Sequence, residues 1–393
     1  MEAFFITHSW FTALVAFLIS FFSVWWIHPQ LVRLALAKVI VDNPGARKLQ
    51  RTPVPVLGGV AVFFGISLAL GCVSSFCDTD SLMVVFTLMT LMLYIGTIDD
   101  IMNLSFLLRF GVEIFGVLLF IYVAGCSIND FHGLWNMGVI PGWIAVPLTV
   151  FISVGIINSI NLIDGVNGLS SGFCIMACAV FGFFFYLCHN ELMMILAAIC
   201  CGSLIPFFMH NVFGYSSRMF IGDGGTLLMG SVMSIFVIRI LDVHSSSAAF
   251  AAAGMGLVPF TMAVLSIPVF DTVRVMSMRI YRGGSPFRPD KTHLHHLFID
   301  LGFSHAGATF CILSLNALVI LLWWLLYRAG ASIDVQLYAV VLLGLLFTFG
   351  LYISVEKLDR KGKFFRMLRC WGVLSQIERK GFSLRLQKWL DKI

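Results

Sequence analysis

The chain has 393 residues, of which 59% are hydrophobic and 11% charged, with a formal net charge of +5. A soluble domain carries about 25% charged residues, so the composition excludes a water-soluble fold. A mean hydropathy of +0.96 points to an integral membrane protein. The 10 cysteines are scattered without a CxxC pair and lie mostly in apolar runs, which fits packing rather than a disulfide framework.

A helix needs about 20 apolar residues to cross the hydrocarbon core. In chain order the spans are predicted at 10–27, 56–76, 82–98, 107–126, 141–157, 169–188, 192–209, 224–241, 250–270, 307–327 and 335–355. The fold expected is therefore an all-α polytopic bundle of about eleven transmembrane helices. The first apolar stretch has no basic n-region and no small-residue cleavage site, so it is expected to be a retained span and not a signal peptide. Residues 1–355 form the predicted membrane unit and 356–393 a basic tail. In the tail Phe364, Phe365, Leu368, Trp371 and Leu374 interleave with basic residues. That pattern predicts an amphipathic helix on an anionic leaflet.

Orientation follows from Lys and Arg. With a cytoplasmic tail, all of the 25 Lys+Arg except Arg239 and Arg328 fall on the inner side. The N-terminus is then expected outside and the C-terminus inside.

Three polar motifs end or open spans on that same face: "YIGTIDDIMNL" with Asp99 and Asp100, "NSINLIDGVNGLSSG" with Asn158, Asn161, Asp164 and Asn167, and "FIGDGGTLLMG" with Asp223. Neighbouring carboxylates raise each other's pKa unless a cation compensates. Oxygen donors without cysteine favour Mg²⁺ or Mn²⁺ over Zn²⁺. Glycines beside Asp223 free N–H groups at a helix start, a ready anion site. With Arg109 and the basic inner loops, the set points to phosphate handling. Taken singly, each motif has a plainer reading: a solvated Asp pair, a turn, an N-cap at Asp223, and an i,i+4 pair of Arg109 with Glu113.

These motifs, with "SPFRPDKTHLHHLF" and the early "VDNPGARKLQRTPVPVLGG", resemble the polyprenyl-phosphate N-acetylhexosamine-1-phosphate transferases over roughly residues 40–355. The HxHH form at His293–His296 is similar to the WecA-type branch more than to MraY enzymes. The resemblance implies attack of undecaprenyl phosphate on a UDP-N-acetylhexosamine at the inner face, with UMP released and Mg²⁺ (or Mn²⁺) required. UDP-N-acetylglucosamine is the expected donor; N-acetylgalactosamine or a 6-deoxy-N-acetylhexosamine are alternatives. It implies that Asp99 and Asp100 are the catalytic acidic pair, placing or deprotonating the lipid phosphate. Asp223 and Asn161 correspond to metal ligands. Asn167 falls where the family contacts uracil, although bacterial relatives often carry Asp there. Asp164 would orient its loop, Arg109 would bridge phosphates, and Lys48 and Asn211 would contact lipid phosphate and nucleotide. His293, His295 and His296, with Arg288 and Lys291, have the chemistry of a sugar-diphosphate clamp. They lie in an expected loop, because Pro286 and Pro289 discourage a helix upstream; a zinc site lacks a nearby Cys. Other expected partners are the lipid bilayer and a second copy as homodimer; nucleic acid is not expected. An ion-coupled transporter is the rival class, but its acids would sit near the midplane.

Overall fold

The computed structural model describes residues 9–43, 52–74, 80–287, 291–376 and 381–392. Among these, helices dominate, as they must where no water can satisfy backbone groups. Among the described residues nine helices are long and apolar enough to cross a membrane. In the order used here they are α1 (Ser9–Ala37), α3 (Asp80–Met102), α4 (Phe106–Ala124), α5 (Gly142–Leu162), α6 (Leu169–Leu187), α7 (Glu191–Phe213), α8 (Gly222–Ile240), α12 (His305–Arg328) and α13 (Ile333–Glu356). Between α1 and α3, a two-residue antiparallel ladder pairs β1 (Val41–Asp42) with β2 (Val54–Pro55) and leads into α2 (Gly58–Val73).

Two expected spans differ in form. The stretch placed at 56–76 is the 16-residue α2, shorter than the usual crossing length. The span placed at 250–270 is a broken pair, α9 (Leu257–Val264) and α10 (Ser266–Tyr281), meeting at 75°. Pro268 near the start of α10 has no N–H to donate. The groups freed by the break find a partner in buried Asn316 of α12. Its Oδ1 accepts from Ile267 N and Ser266 Oγ, both at 2.9 Å, and its Nδ2 donates to Val264 O at 2.9 Å.

α8 is the axis of the bundle and the most enclosed of the long helices. It packs against α2, α3, α5 and α6, while α1 packs against α7 and α2. Glycines set its distance from α3: a Cβ added at Gly96 would lie 2.5 Å from Gly224 N. The N-terminus of α8 is thus held deep among its neighbours. After the short α11 (Leu294–Asp300) and the α12–α13 pair, the tail forms α14 (Lys363–Leu374) and α15 (Gly381–Leu390). Phe364, Trp371 and Leu374 of α14 are exposed. The tail is not detached: Ser375 Oγ accepts from Ser304 N at 3.1 Å, and Asp391 accepts from Ser217 N at 3.1 Å.

Candidate functional site

The α8 N-terminus is the origin of the site. Gly222 takes a left-handed φ of 70°, open to glycine at little cost, and turns the chain into the helix. Asp100, from the end of α3, accepts from the N–H groups of Asp223 (3.0 Å) and Gly224 (3.2 Å). It therefore caps α8 from another helix, and a carboxylate there is favoured by the helix dipole. Asp223 is thereby held in the first turn. Its Oδ1 accepts from Asn161 Nδ2 at 2.9 Å and its Oδ2 from Arg109 at 3.3 Å. Asn161 also donates to Thr226 Oγ1 at 2.9 Å, which fixes its amide and leaves Oδ1 without a protein donor among the described residues.

Arg109 joins the two ends of the site. Its guanidinium donates to Asp99 Oδ2 at 3.0 Å as well as to Asp223, and its Nε lies 3.6 Å from Glu113 Oε1. The local i,i+4 pair with Glu113 is present, but the long-range bridge to α8 is added to it. Asn158 accepts from Arg109 at 3.4 Å and donates to the fully buried Glu113. Asp99 Oδ1 accepts from Leu104 N at 2.7 Å. The acidic pair expected to act together is thus split: Asp99 faces Arg109, and Asp100 is committed to the α8 backbone.

Of these groups Asp99, Asp100 and Asp223 line a cavity of about 720 Å³, joined there by Asp164, Asn167, Asn211 and His296, with β1–β2 along one side. Asp164, in the turn after α5, is exposed at the wall of this cavity. The protein packed around it desolvates its carboxyl and pushes it up to about 6, opposed by the bond from Ser170 Oγ at 2.5 Å and aided by the charge of Asp223. The Asn167 backbone is pinned by α12, its N–H donating to His305 Nδ1 (3.2 Å) and its carbonyl accepting from Thr309 (2.9 Å). Its side-chain amide has no protein partner among the described residues, as a group reserved for a ligand would not. Asn211 borders the cavity but spends its Nδ2 on Met219 O at 2.7 Å.

The histidine cluster divides. Only His296 lines the cavity. His293 is the residue before α11 and is buried, its Nδ1 3.1 Å from Asp271 Oδ2. His295 is buried with its ring against Gly165, where any Cβ would overlap it. The expected loop is therefore the start of a helix, and the expected three-histidine clamp presents one imidazole to the cavity while two anchor the segment. Lys48 and Arg288 lie outside the described residues.

Burial holds the His295 imidazole well below its ordinary range, with repulsion from His296 and His293 adding to this against the pull of Asp271. The unfolded chain takes a proton at about 6.5, whereas the fold keeps this ring neutral. Folding stability is then expected to decline as pH falls below about 6.5. His295→Gln should flatten that acid limb in thermal unfolding of the detergent-solubilised protein. An unchanged slope would exclude His295 as its source.

Several residues of this architecture were not singled out in the sequence, Asp271, Arg274, Arg218 and His305, while Asn158 was visible only as part of its polar motif and Glu113 only as the i,i+4 partner of Arg109. The clearest available hint was Asp271 and Arg274, an i,i+3 pair of opposite charge inside the apolar run "SIPVFDTVRV".

Among the described residues no three His, Cys, Asp or Glu side chains gather as a ready-made metal cage. Asp223 and the Asn161 Oδ1 form an oxygen-only pair instead. That suits a hard divalent ion that takes few protein ligands and keeps waters and substrate phosphates. The excess of carboxylates around one arginine has the charge to attract it.

The model of glycosyl transferase family 4 matches residues 82–241. A probable undecaprenyl-phosphate N-acetylglucosaminyl 1-phosphate transferase of Bacillus subtilis (strain 168) is 30% identical over 293 residues, 74% of this chain and 78% of the relative. The undecaprenyl-phosphate alpha-N-acetylglucosaminyl 1-phosphate transferase of Escherichia coli (strain K12) is 26% identical over 283 residues, 71% and 74% of the two chains. That of Yersinia pestis is 28% identical over 298 residues, 72% and 76%. The segment matched by the family model runs from α3 to α8 and carries Asp99, Asp100, Asp164, Asn167 and Asp223, which line one cavity, with Arg109 and Asn161 bonded to Asp223 behind them. The chain belongs to glycosyl transferase family 4.

Proposed function

We propose that the chain transfers N-acetylglucosamine-1-phosphate from UDP-N-acetylglucosamine to undecaprenyl phosphate. The carrying observation is the Arg109 bridge between Asp99 and Asp223, two carboxylates that line a polar cavity. The names of the relatives supply the acceptor and the sugar. A phosphate oxygen of the acceptor attacks the β-phosphorus of the donor, the bond to the bridging oxygen breaks, and UMP leaves with its electron pair. The acceptor phosphate is largely ionised near neutral pH, so deprotonation is not the main task. Asp99 has both oxygens engaged, and its role is to hold Arg109 where the two phosphate groups meet. Arg109 screens the approach of one anion to another. Asn167 offers donor and acceptor to the uracil edge, and His296 offers a ring nitrogen to the sugar diphosphate.

Asp223 and Asn161 would hold Mg²⁺, which when bound would neutralise charge on the donor diphosphate and on the departing UMP. Following the charge asymmetry along the chain, the site faces the cytoplasm of the inner membrane, the N-terminus is periplasmic, and the C-terminus cytoplasmic. Counting α2 and the bent α9–α10 pair as crossings brings the total to about eleven. The product would open the assembly of a cell-surface polysaccharide.

The test uses purified full-length protein, undecaprenyl phosphate and radiolabelled UDP-N-acetylglucosamine, with label followed into solvent-extractable lipid. Label should enter lipid with equimolar UMP, stop on EDTA and return with Mg²⁺ or Mn²⁺. Absence of lipid label with UDP-N-acetylglucosamine but its appearance with UDP-N-acetylgalactosamine or a 6-deoxy donor would move the sugar assignment. No label from any of these would refute the reaction, and full activity in EDTA would remove the metal.

A further inference from the structure

A second cavity, of about 430 Å³, opens where α1, α7 and α15 meet. Trp25, Trp26 and Trp389 supply aromatic walls and Arg33 and Lys392 two cations. Neither Asp nor Glu is among the lining residues. Asp391 lies beside it in sequence, but its carboxylate accepts from the N–H groups of Tyr215 (3.0 Å) and Ser217 (3.1 Å) and is spoken for. His210 belongs to the wall and is 2% exposed. Both of its ring nitrogens lack a hydrogen-bond partner, a costly state for a buried polar ring. The ring itself is fixed, stacked on His28 at 4.4 Å and against Trp25 at 5.2 Å.

Depth places this cavity at a membrane boundary. A helix rises 1.5 Å per residue, so Trp25–Arg33 lie about 24–36 Å along α1 from Ser9, near the far edge of a core about 30 Å thick. Tryptophans at that level with cations beyond them are the pattern of a headgroup region. It is also the end of the bundle that holds the central cavity, since Asn211 follows His210 on α7 and borders that cavity.

We propose that this cavity binds the phosphate headgroup of an anionic glycerophospholipid, with Arg33 and Lys392 as its partners and the tryptophans as its apolar walls. The occupant would clamp α15 against α1 and α7. Asp391 then stays on the 215–217 loop, whose Ser217 carbonyl lies 2.9 Å from His28 Nε2. That loop continues through Arg218 to Gly222 and Asp223, so a bound lipid would steady one wall of the central cavity. The C-terminal tail becomes a lipid-dependent strut for the site rather than only a basic anchor.

The test is native mass spectrometry of the full-length protein released from nanodiscs of phosphatidylcholine with phosphatidylglycerol. The wild type should retain one phosphatidylglycerol after phosphatidylcholine has been stripped. Arg33→Gln with Lys392→Gln should lower that retention about tenfold or more, since each surface cation adds roughly a kilocalorie per mole to anionic-lipid binding. Hydrogen exchange within 381–392 should slow when phosphatidylglycerol is included, in the wild type and not in the double variant. Equal retention by the two proteins would overturn the proposal. So would displacement of phosphatidylglycerol by equimolar undecaprenyl phosphate, which would make the cavity an acceptor-lipid site.

Discussion

Asp223→Ala is expected to lower transferase kcat by about a hundred- to a thousandfold or more, with the protein still inserted and folded. Three helices converge on Asp223: its side chain takes Asn161 from α5 and Arg109 from α4, and its backbone is held by Asp100 from α3. Removing the carboxylate deletes the charged ligand of the proposed metal. It also frees Arg109 to relax toward Asp99 and Glu113, away from the place where the phosphates would meet. The α8 fold should survive, because Asp100 bonds to backbone N–H groups that alanine retains. Asp223→Asn separates charge from shape: it keeps the hydrogen-bonding outline and should lose nearly as much activity, with partial recovery at high Mn²⁺. The measurements are kcat with saturating donor and acceptor, and thermal unfolding of both variants. Near-normal turnover in Asp223→Ala would remove this residue from the reaction; loss of activity together with early unfolding would mark it as structural.

Hydropathy made the spans legible because every crossing helix must be apolar for about the bilayer thickness. The same rule blurs detail. The break between α9 and α10 is invisible to it, since Ser266 and Pro268 sit in an apolar run and the compensating Asn316 comes from a distant helix. The polar motifs around Asp99, Asn161, Asp164 and Asp223 were legible by type and by shared membrane face. Their division of labour was not. That Asp100 caps another helix depends on a contact across 123 positions of chain, which no local spacing encodes. The histidine cluster misleads in the opposite direction: its density suggests three equivalent ligands, yet burial separates His293 and His295 from His296. Glu113 was legible as the i,i+4 partner of Arg109 and Asn158 as a motif residue, but the link of Asn158 to both, across 49 and 45 positions, was not.

Asp271→Ala should produce the largest stability loss of any single change, about 3–5 kcal/mol, because it strands a buried guanidinium. Asp271 takes Arg274 Nε at 3.1 Å and Nη2 at 2.7 Å through one oxygen, and the His293 ring and Leu294 N through the other. Arg274 is fully buried, donates to Thr292 O at 2.6 Å and lies 4.1 Å over the Tyr352 ring of α13. Four segments therefore meet at one ion pair: the lower half of the bent α9–α10 unit, the residues before α11, α11 itself and α13. The α9–α10 break removes the helix continuity that would otherwise fix α10, so this pair must do so. Loss of it should also release His295 from Gly165 and let His296 leave the cavity, raising the donor KM more than it lowers kcat. A double replacement, Asp271→Leu with Arg274→Met, discriminates between charge burial and anchoring. It should recover most of the stability, since apolar side chains of similar size avoid the stranded charge. It should not recover the donor KM, since Thr292 and His293 remain unheld. If the single and double variants lose stability equally, the pair is not the source of the loss. If the double variant binds donor normally, the histidine segment is positioned by something other than Asp271.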